Sequence, residues 1–202
     1  MTVPLRVISL SDALAHEDAA LLDLRPVDEY LDLHIPGSLA LGYESGPGMA
    51  GRARDCLPLD VPLVLLEDQR AEMLNATAAL RGKGFTVLGV VQEALASWGS
   101  LRGVPASTDV YEGEEPPPGT VLDVGDPGVR IVEGALRVPV EKLWAEAAGL
   151  DASGRYVIVA GYGVRAGLAV GILERAGLRE LVFWRTRAAD SLARVPLGAR
   201  PS

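Results

Sequence analysis

The chain has 202 residues, 49% of them apolar and 23% charged, which suits a globular protein with room for one large domain or two small ones and excludes a low-complexity or collagen-like polymer. With 27 acidic against 19 basic residues and a formal net charge of -8, the surface repels phosphate backbones and anionic bilayers, so neither nucleic acid nor membrane is expected as a partner. Aromatic residues make up only 5% of the chain, which leaves the core to Leu, Val, Ile and Ala, the material of helices packed on a buried parallel sheet.

In chain order, the first twenty residues lack the basic-then-apolar layout of a signal peptide, and no later run approaches the ~18 apolar residues of a membrane span, so a cytoplasmic protein is expected. Ala20–Leu24 is a short apolar run that meets an Asp as it leaves the sheet, the pattern of a buried strand. Gly37-Ser38-Leu39 follows, then a second strand-like run, Val61–Leu66. Ala71–Leu80 has helical periodicity and meets glycine stops at Gly82 and Gly84, before the strand-like Gly84–Leu88. The acidic, proline-rich Tyr111–Gly119 reads as a short, stiff, exposed linker.

Beyond the linker the order repeats. Thr120–Val124 matches Ala20–Leu24, Gly134-Ala135-Leu136 matches Gly37-Ser38-Leu39, Arg155–Val159 matches Val61–Leu66, and Gly177–Val182 matches Gly84–Leu88, with a helical Gly167–Leu173 in the corresponding place. Ordered matches mark an internal duplication. Alternating strands and helices then imply βαβ units with a parallel sheet covered on both faces. The expected organisation is a module over residues 1–108, a linker over 109–118 and a second module over 119–202, each module an α/β layer structure with a parallel sheet of about five strands between helices.

In the first copy, Asp23-Leu24-Arg25, then Glu29-Tyr30, then His34-Ile35-Pro36-Gly37-Ser38 resemble the rhodanese-like, sulfurtransferase-type domain, whose pattern runs through an Asp-x-Arg strand end, an acidic-aromatic pair and a Gly-His-Ile-Pro-Gly-Ala turn. Leu33 stands in place of that turn's first Gly, and Glu93-Ala94 in place of a later Gly-Gly, while Trp98 and Gly103-Val104-Pro105 fit the family's closing pattern. In the second copy Asp123 keeps the strand-end Asp, Gly125 replaces the Arg, Arg130–Glu133 replace Gly-His-Ile-Pro, and the loop Ala160–Ala166 fits closely. The layout is also similar to paired rhodanese-like modules that follow a metallo-β-lactamase-type hydrolase, but that enzyme's His-x-His-x-Asp-His motif is absent here.

The resemblance implies chemistry at a cysteine on the end of the central strand, where converging amides and a helix N-terminus stabilise a thiolate and its persulfide. The corresponding positions hold Glu67, with Asp68 and Gln69 after it, and Ala160, neither able to carry sulfur. Cys56, the single cysteine, lies in the insertion between the strands and away from the loop, so an inert thiol is expected; the other reading is a thiol whose pKa is lowered by Arg52 and Arg54. With His16 and His34 as the two histidines, no Cys/His set exists for a metal site, and no cofactor is expected. Asp23 and Arg25 suit an ion pair holding strand ends, and His34 and Gly37 suit a turn-stabilising role, with catalysis by His34 as the alternative. The loop Gly161, Tyr162, Gly163, Val164, Arg165 and Ala166 is a candidate nest for a small anion such as sulfate, phosphate or thiosulfate, or only the strand-to-helix turn of the fold. The expected function is a non-catalytic binding or regulatory role in sulfur metabolism, toward an anion or a protein partner. The alternative is a thiosulfate or persulfide sulfurtransferase that uses Cys56.

Overall fold

A computed structural model describes residues 5–68, 72–126, 132–160 and 163–186. Helix α1, Leu10–Ala15, opens on Ser9, whose Oγ accepts the Asp12 amide at 3.0 Å. Strand β1, Ala20–Asp23, leads to α2, Val27–Asp32, which starts behind Pro26 with Asp28 and Glu29 in its first turn. Then come β2, Leu39–Ala40, a 3₁₀ turn over Tyr43–Gly48, α3, Met49–Cys56, β3, Leu63–Leu66, α4, Met73–Gly82, β4, Val87–Val91, and α5, Ala94–Arg102. The rest of the chain supplies β5, Asp109–Tyr111, β6, Thr120–Asp123, β7, Leu136–Arg137, α6, Val140–Glu146, β8, Arg155–Val159, α7, Gly163–Arg175, and β9, Glu180–Trp184.

Two parallel sheets result, ordered β2-β1-β3-β4 and β5-β9-β8-β6-β7. The duplication holds down to the register. Asp23 lies beside Leu66 as Asp123 lies beside Val159, and Leu22 beside Leu39 as Leu122 beside Leu136. Glu67 and Ala160 are therefore equivalent, each the first residue past its central strand. The helices after those strands also stop alike. The Phe85 amide reaches back to the Leu80 carbonyl at 3.1 Å and the Leu178 amide to that of Leu173 at 3.0 Å, each across a glycine of positive φ, +98° at Gly84 and +95° at Gly177. Strands β1 and β3 are buried along their whole length, and β8 and β9 from their second residue, as strands covered on both faces must be.

Two details refine the expected layout. The first sheet has four strands, and the fifth position is held by a bridge from Val7 to Val90, beside Gly89, whose missing side chain lets the Arg6 carbonyl approach. Asp109–Tyr111, expected in the linker, instead form β5 and pair with β9, the same edge position in the second sheet. The helix expected over Ala71–Leu80 runs from Met73 to Gly82, with Ala71 outside the described residues, and that expected over Gly167–Leu173 extends from Gly163 to Arg175.

The two sheets share one hydrophobic core. Leu22, Tyr30, Leu39 and Met49 of the first half are in one buried cluster with Leu122, Leu143, Ile158 and Leu168 of the second. Helix α7 carries Gly163, Gly167 and Gly171 at four-residue spacing against the first half. A Cβ on Gly167 would stand 2.8 Å from Val27 Cγ2 and 3.0 Å from Ala40 Cβ, and one on Gly171 would fall on the Ser38 carbonyl oxygen. Among the described residues no helix is long and apolar enough to cross a membrane.

Candidate functional site

At the carboxyl ends of β1, β3 and β4, where open α/β sheets place their ligands, lies a cleft of about 480 Å³ lined by Asp23, Arg25, Leu66, Glu67 and Glu93–Ala96. Buried Asp23 receives the Arg25 amide at 3.0 Å on Oδ1 and the guanidinium on both oxygens, Nε at 3.0 Å and Nη2 at 2.6 Å. Nη2 also donates to the Leu33 carbonyl at 2.7 Å, which ties the strand end to the turn after α2. Burial works against the charge on Arg25, but the hydrogen bonds and charge of Asp23, with Glu29 and Asp68 behind them, outweigh it and hold the guanidinium above its ordinary range. Asp23 and Arg25 form an ion pair at the strand end, 2.6 Å at its shortest.

Glu67 stands at the mouth of the cleft with its side chain exposed, its amide on the Val91 carbonyl at 2.9 Å and its carboxylate accepting from Gln92 Nε2 at 3.3 Å. Asp68 behind it is buried. The opposite wall begins at Glu93, which at φ +47° is the one non-glycine residue in the left-handed region among the described residues. That is the cost of placing Glu where the family pattern has Gly.

In the second half Ala160 is buried past the end of β8, and Gly161 and Tyr162 lie outside the described residues. Gly163, Val164, Arg165 and Ala166 form the first turn of α7. Arg165, expected to greet an anion, is already committed: Nη2 donates to Asp126 Oδ1 at 2.6 Å and Nη1 lies 2.7 Å from Glu141 Oε1. Asp123 mirrors Asp23, since its Oδ1 accepts the Gly125 amide at 2.9 Å, and the Arg137 guanidinium lies 3.9 Å from its carboxylate.

Cys56 is the last residue of α3 and is buried, 4% exposed. Burial pushes its thiol up from an ordinary 9.0 to about 12, and Glu141 adds to the rise, while Arg165 and Arg52 offset it only in part. Loss of water thus outweighs the charge of the neighbouring arginines.

His34 does not line the cleft. It is fully buried, stacked on Tyr30 with ring centroids 4.2 Å apart, and bonded through Nδ1 to the Tyr30 carbonyl at 2.8 Å. Its Nε2 and the Gly37 amide both meet the carboxylate of Glu174 on α7, at 3.2 and 2.6 Å. Gly37, at φ +75°, makes the tight turn that aims its amide there. Glu174 went unread in the sequence, since nothing local to it marks a partner 140 residues away. Among the described residues no group of three or more His, Cys, Asp or Glu could hold a metal ion.

A family profile described as the rhodanese-like domain matches residues 7–101. No curated protein matches the chain. Among solved structures, a protein from Anabaena sp. is similar at 25% identity over 45% of this chain and 70% of its own, with a TM-score of 0.38. The 3-mercaptopyruvate sulfotransferase SseA from Escherichia coli is similar at 14% identity over 90% of this chain and 98% of its own, TM-score 0.39. The thiosulfate sulfurtransferase from Pseudomonas aeruginosa is similar at 23% identity over 93% of this chain and 40% of its own, TM-score 0.38. The rhodanese-like profile thus covers the first parallel-sheet module, a second parallel-sheet module of matching strand order follows it, and no cysteine stands at the end of either central strand.

Proposed function

We propose that this protein is a non-catalytic rhodanese-like pair, kept as a cytoplasmic binding or regulatory module in sulfur metabolism. The observation that carries the reading is the pair of residues past the central strands, Glu67 and Ala160. Sulfur transfer from thiosulfate needs a thiolate to attack the outer sulfur and leave sulfite behind, after which the enzyme persulfide passes that sulfur to an acceptor. A carboxylate at Glu67 repels such an anionic donor, and the methyl group of Ala160 offers no electron pair. The alternative nucleophile, Cys56, is shut away from solvent and keeps its proton at neutral pH. Sulfurtransferase action through Cys56 therefore has little to support it.

The chemistry of the cleft favours a partner that brings donor groups to Glu67 and Glu93 over a bare anion. A small anion at the loop 161–166 would have to compete with Asp126 and Glu141 for Arg165. The boundaries 1–108, 109–118 and 119–202 stand in this proposal as functional units, with β5 belonging by its pairing to the second sheet.

The test is incubation with thiosulfate and cyanide, read as thiocyanate formed and as the intact mass, where a persulfide adds about 32 Da. Thiocyanate at background and an unchanged mass are expected for the natural chain and for Cys56→Ser alike. Turnover that disappears in Cys56→Ser would overturn the reading. Calorimetric titration with sulfate, comparing the natural chain with Arg165→Ala, tests the anion part; affinity lost in the variant would support a site at the loop.

A further inference from the structure

The junction between the two halves holds a buried titratable pair with no part in the cleft. His34 Nδ1 faces the carbonyl oxygen of Tyr30 at 2.8 Å, an atom that only accepts, so Nδ1 carries a hydrogen. A neutral imidazole has one donor nitrogen and one acceptor nitrogen, which leaves Nε2 with a bare lone pair. Yet Nε2 lies 3.2 Å from both oxygens of Glu174, and Glu174 Oε2 already accepts the Gly37 amide at 2.6 Å. With neutral histidine and ionised glutamate, acceptor would face acceptor in a site where His34 is 0% and the Glu174 side chain 10% exposed. One added proton removes the conflict, whether it sits on Nε2 as an imidazolium–carboxylate pair or on the carboxyl group as a donor to Nε2.

The Tyr30 hydroxyl and the guanidinium groups around the pair are bonded elsewhere and do not supply that hydrogen. The Tyr30 hydroxyl donates to the Ser38 carbonyl at 2.6 Å. On the α7 side, Arg175 donates to the Ala19 carbonyl at 3.1 Å with its guanidinium over the Trp144 ring, and Arg179 donates to the carbonyls of Glu174 and Leu178. Arg25, beyond the turn, is held on Asp23 and the Leu33 carbonyl. His16 and Glu17 are exposed across the groove that Gly37, Glu174, Arg175 and Arg179 also line.

The geometry points to a proton-held latch: helix α7 is clasped to the first module through His34, Gly37 and Glu174 while that pair keeps one shared proton, and the clasp loosens when the proton leaves. The closed junction binds one proton more than the open one, so the closed population falls as pH rises, by at most tenfold per pH unit for a single proton.

Glu174→Gln separates this from a merely structural contact. The side-chain amide donates a hydrogen to Nε2 and its oxygen accepts the Gly37 amide, so every partner is met with no titrating proton. The experiment is native-state hydrogen exchange at the Gly37 amide, corrected for intrinsic base catalysis, across a pH series on the natural chain and on Glu174→Gln. Protection of Gly37 in the natural chain is expected to fall with rising pH and to stay flat in Glu174→Gln. A flat profile in the natural chain, or the same slope in both proteins, would overturn the latch. Nitrogen NMR of His34 supplies an independent readout: protonation of Nδ1 is required, and a hydrogen on Nε2 alone would refute the stoichiometry.

Discussion

Gly171→Ala tests how rigidly the second half is seated on the first. Alanine is the better helix former, and in an open helix the change is worth roughly 1 kcal/mol in its favour. Gly171 is in the interior of α7, where a methyl group would fall on the Ser38 carbonyl oxygen, with the Ser38 carbonyl carbon and Tyr30 Oη each 3.0 Å away. None of these atoms can swing aside, because the carbonyl is backbone just before β2 and is fixed by the Tyr30 hydroxyl at 2.6 Å. The helix must lift instead. Overpacking of this kind costs about 1–3 kcal/mol, and lifting also strains the Glu174 bonds to Gly37 and His34, about 1–3 kcal/mol more. Net of the helix gain, a loss of about 3 kcal/mol is expected, or roughly 6–12 °C in Tm for a chain of this size. The matched control is Gly99→Ala in α5, where a Cβ meets nothing within 4 Å and the same change should stabilise by about 0.5–1 kcal/mol. Urea and thermal unfolding of both variants check the pair. If Gly171→Ala proves as stable as Gly99→Ala, the close seat of α7 on Ser38 is wrong.

Cys56 should resist iodoacetamide at pH 8 for as long as the chain stays folded, and react at the rate of a free thiol in urea. Its thiol is raised from 9.0 to about 12 on folding, so the folded state holds this proton longer than the unfolded chain. The associated stability, about 4 kcal/mol at most, is intact below pH 9 and drains away as pH climbs toward 12, a slope that Cys56→Ala should abolish. Arg25→Met leaves the buried Asp23 carboxylate without its bidentate partner and should cost about 3 kcal/mol in urea unfolding, the range for breaking a pair at this depth. Glu93→Gly relieves a left-handed side chain and is expected to raise stability by up to about 1 kcal/mol by the same assay.

What could be read from the chain alone follows from where the physical constraint is local. A strand covered on both faces needs an unbroken apolar run, and Ala20–Leu22, Leu63–Leu66 and Tyr156–Val159 supply it, so the duplicated sheets and the equivalence of Glu67 with Ala160 were legible. So was the departure at Glu93-Ala94, which proved to mark a strained turn. The edge strand β5 was not, because three exposed residues carry no apolar pattern and their pairing is fixed by β9, far along the chain. The same distance hid the ion pairs of Arg165 with Asp126 and Glu141 and the bond of His34 to Glu174. For Cys56 the sequence offered both an inert thiol and one made acidic by Arg52 and Arg54, and the packing of α3 supplies the desolvation that outweighs those charges.

The pairing of β5 with β9 bears on how the protein is born. During synthesis Asp109–Tyr111 leave the ribosome about 70 residues ahead of their partner Glu180–Trp184, an interval of several seconds at ordinary elongation rates. Throughout that interval the face made by Val27, Tyr30 and Ala40 waits uncovered for a helix not yet emerged, beside a strand edge with nothing to pair with. The nascent first half is thus most open to wrong pairing and to chaperones during this window. A stall placed before residue 163 should give a protease-sensitive chain, and one placed well after residue 186 a resistant one.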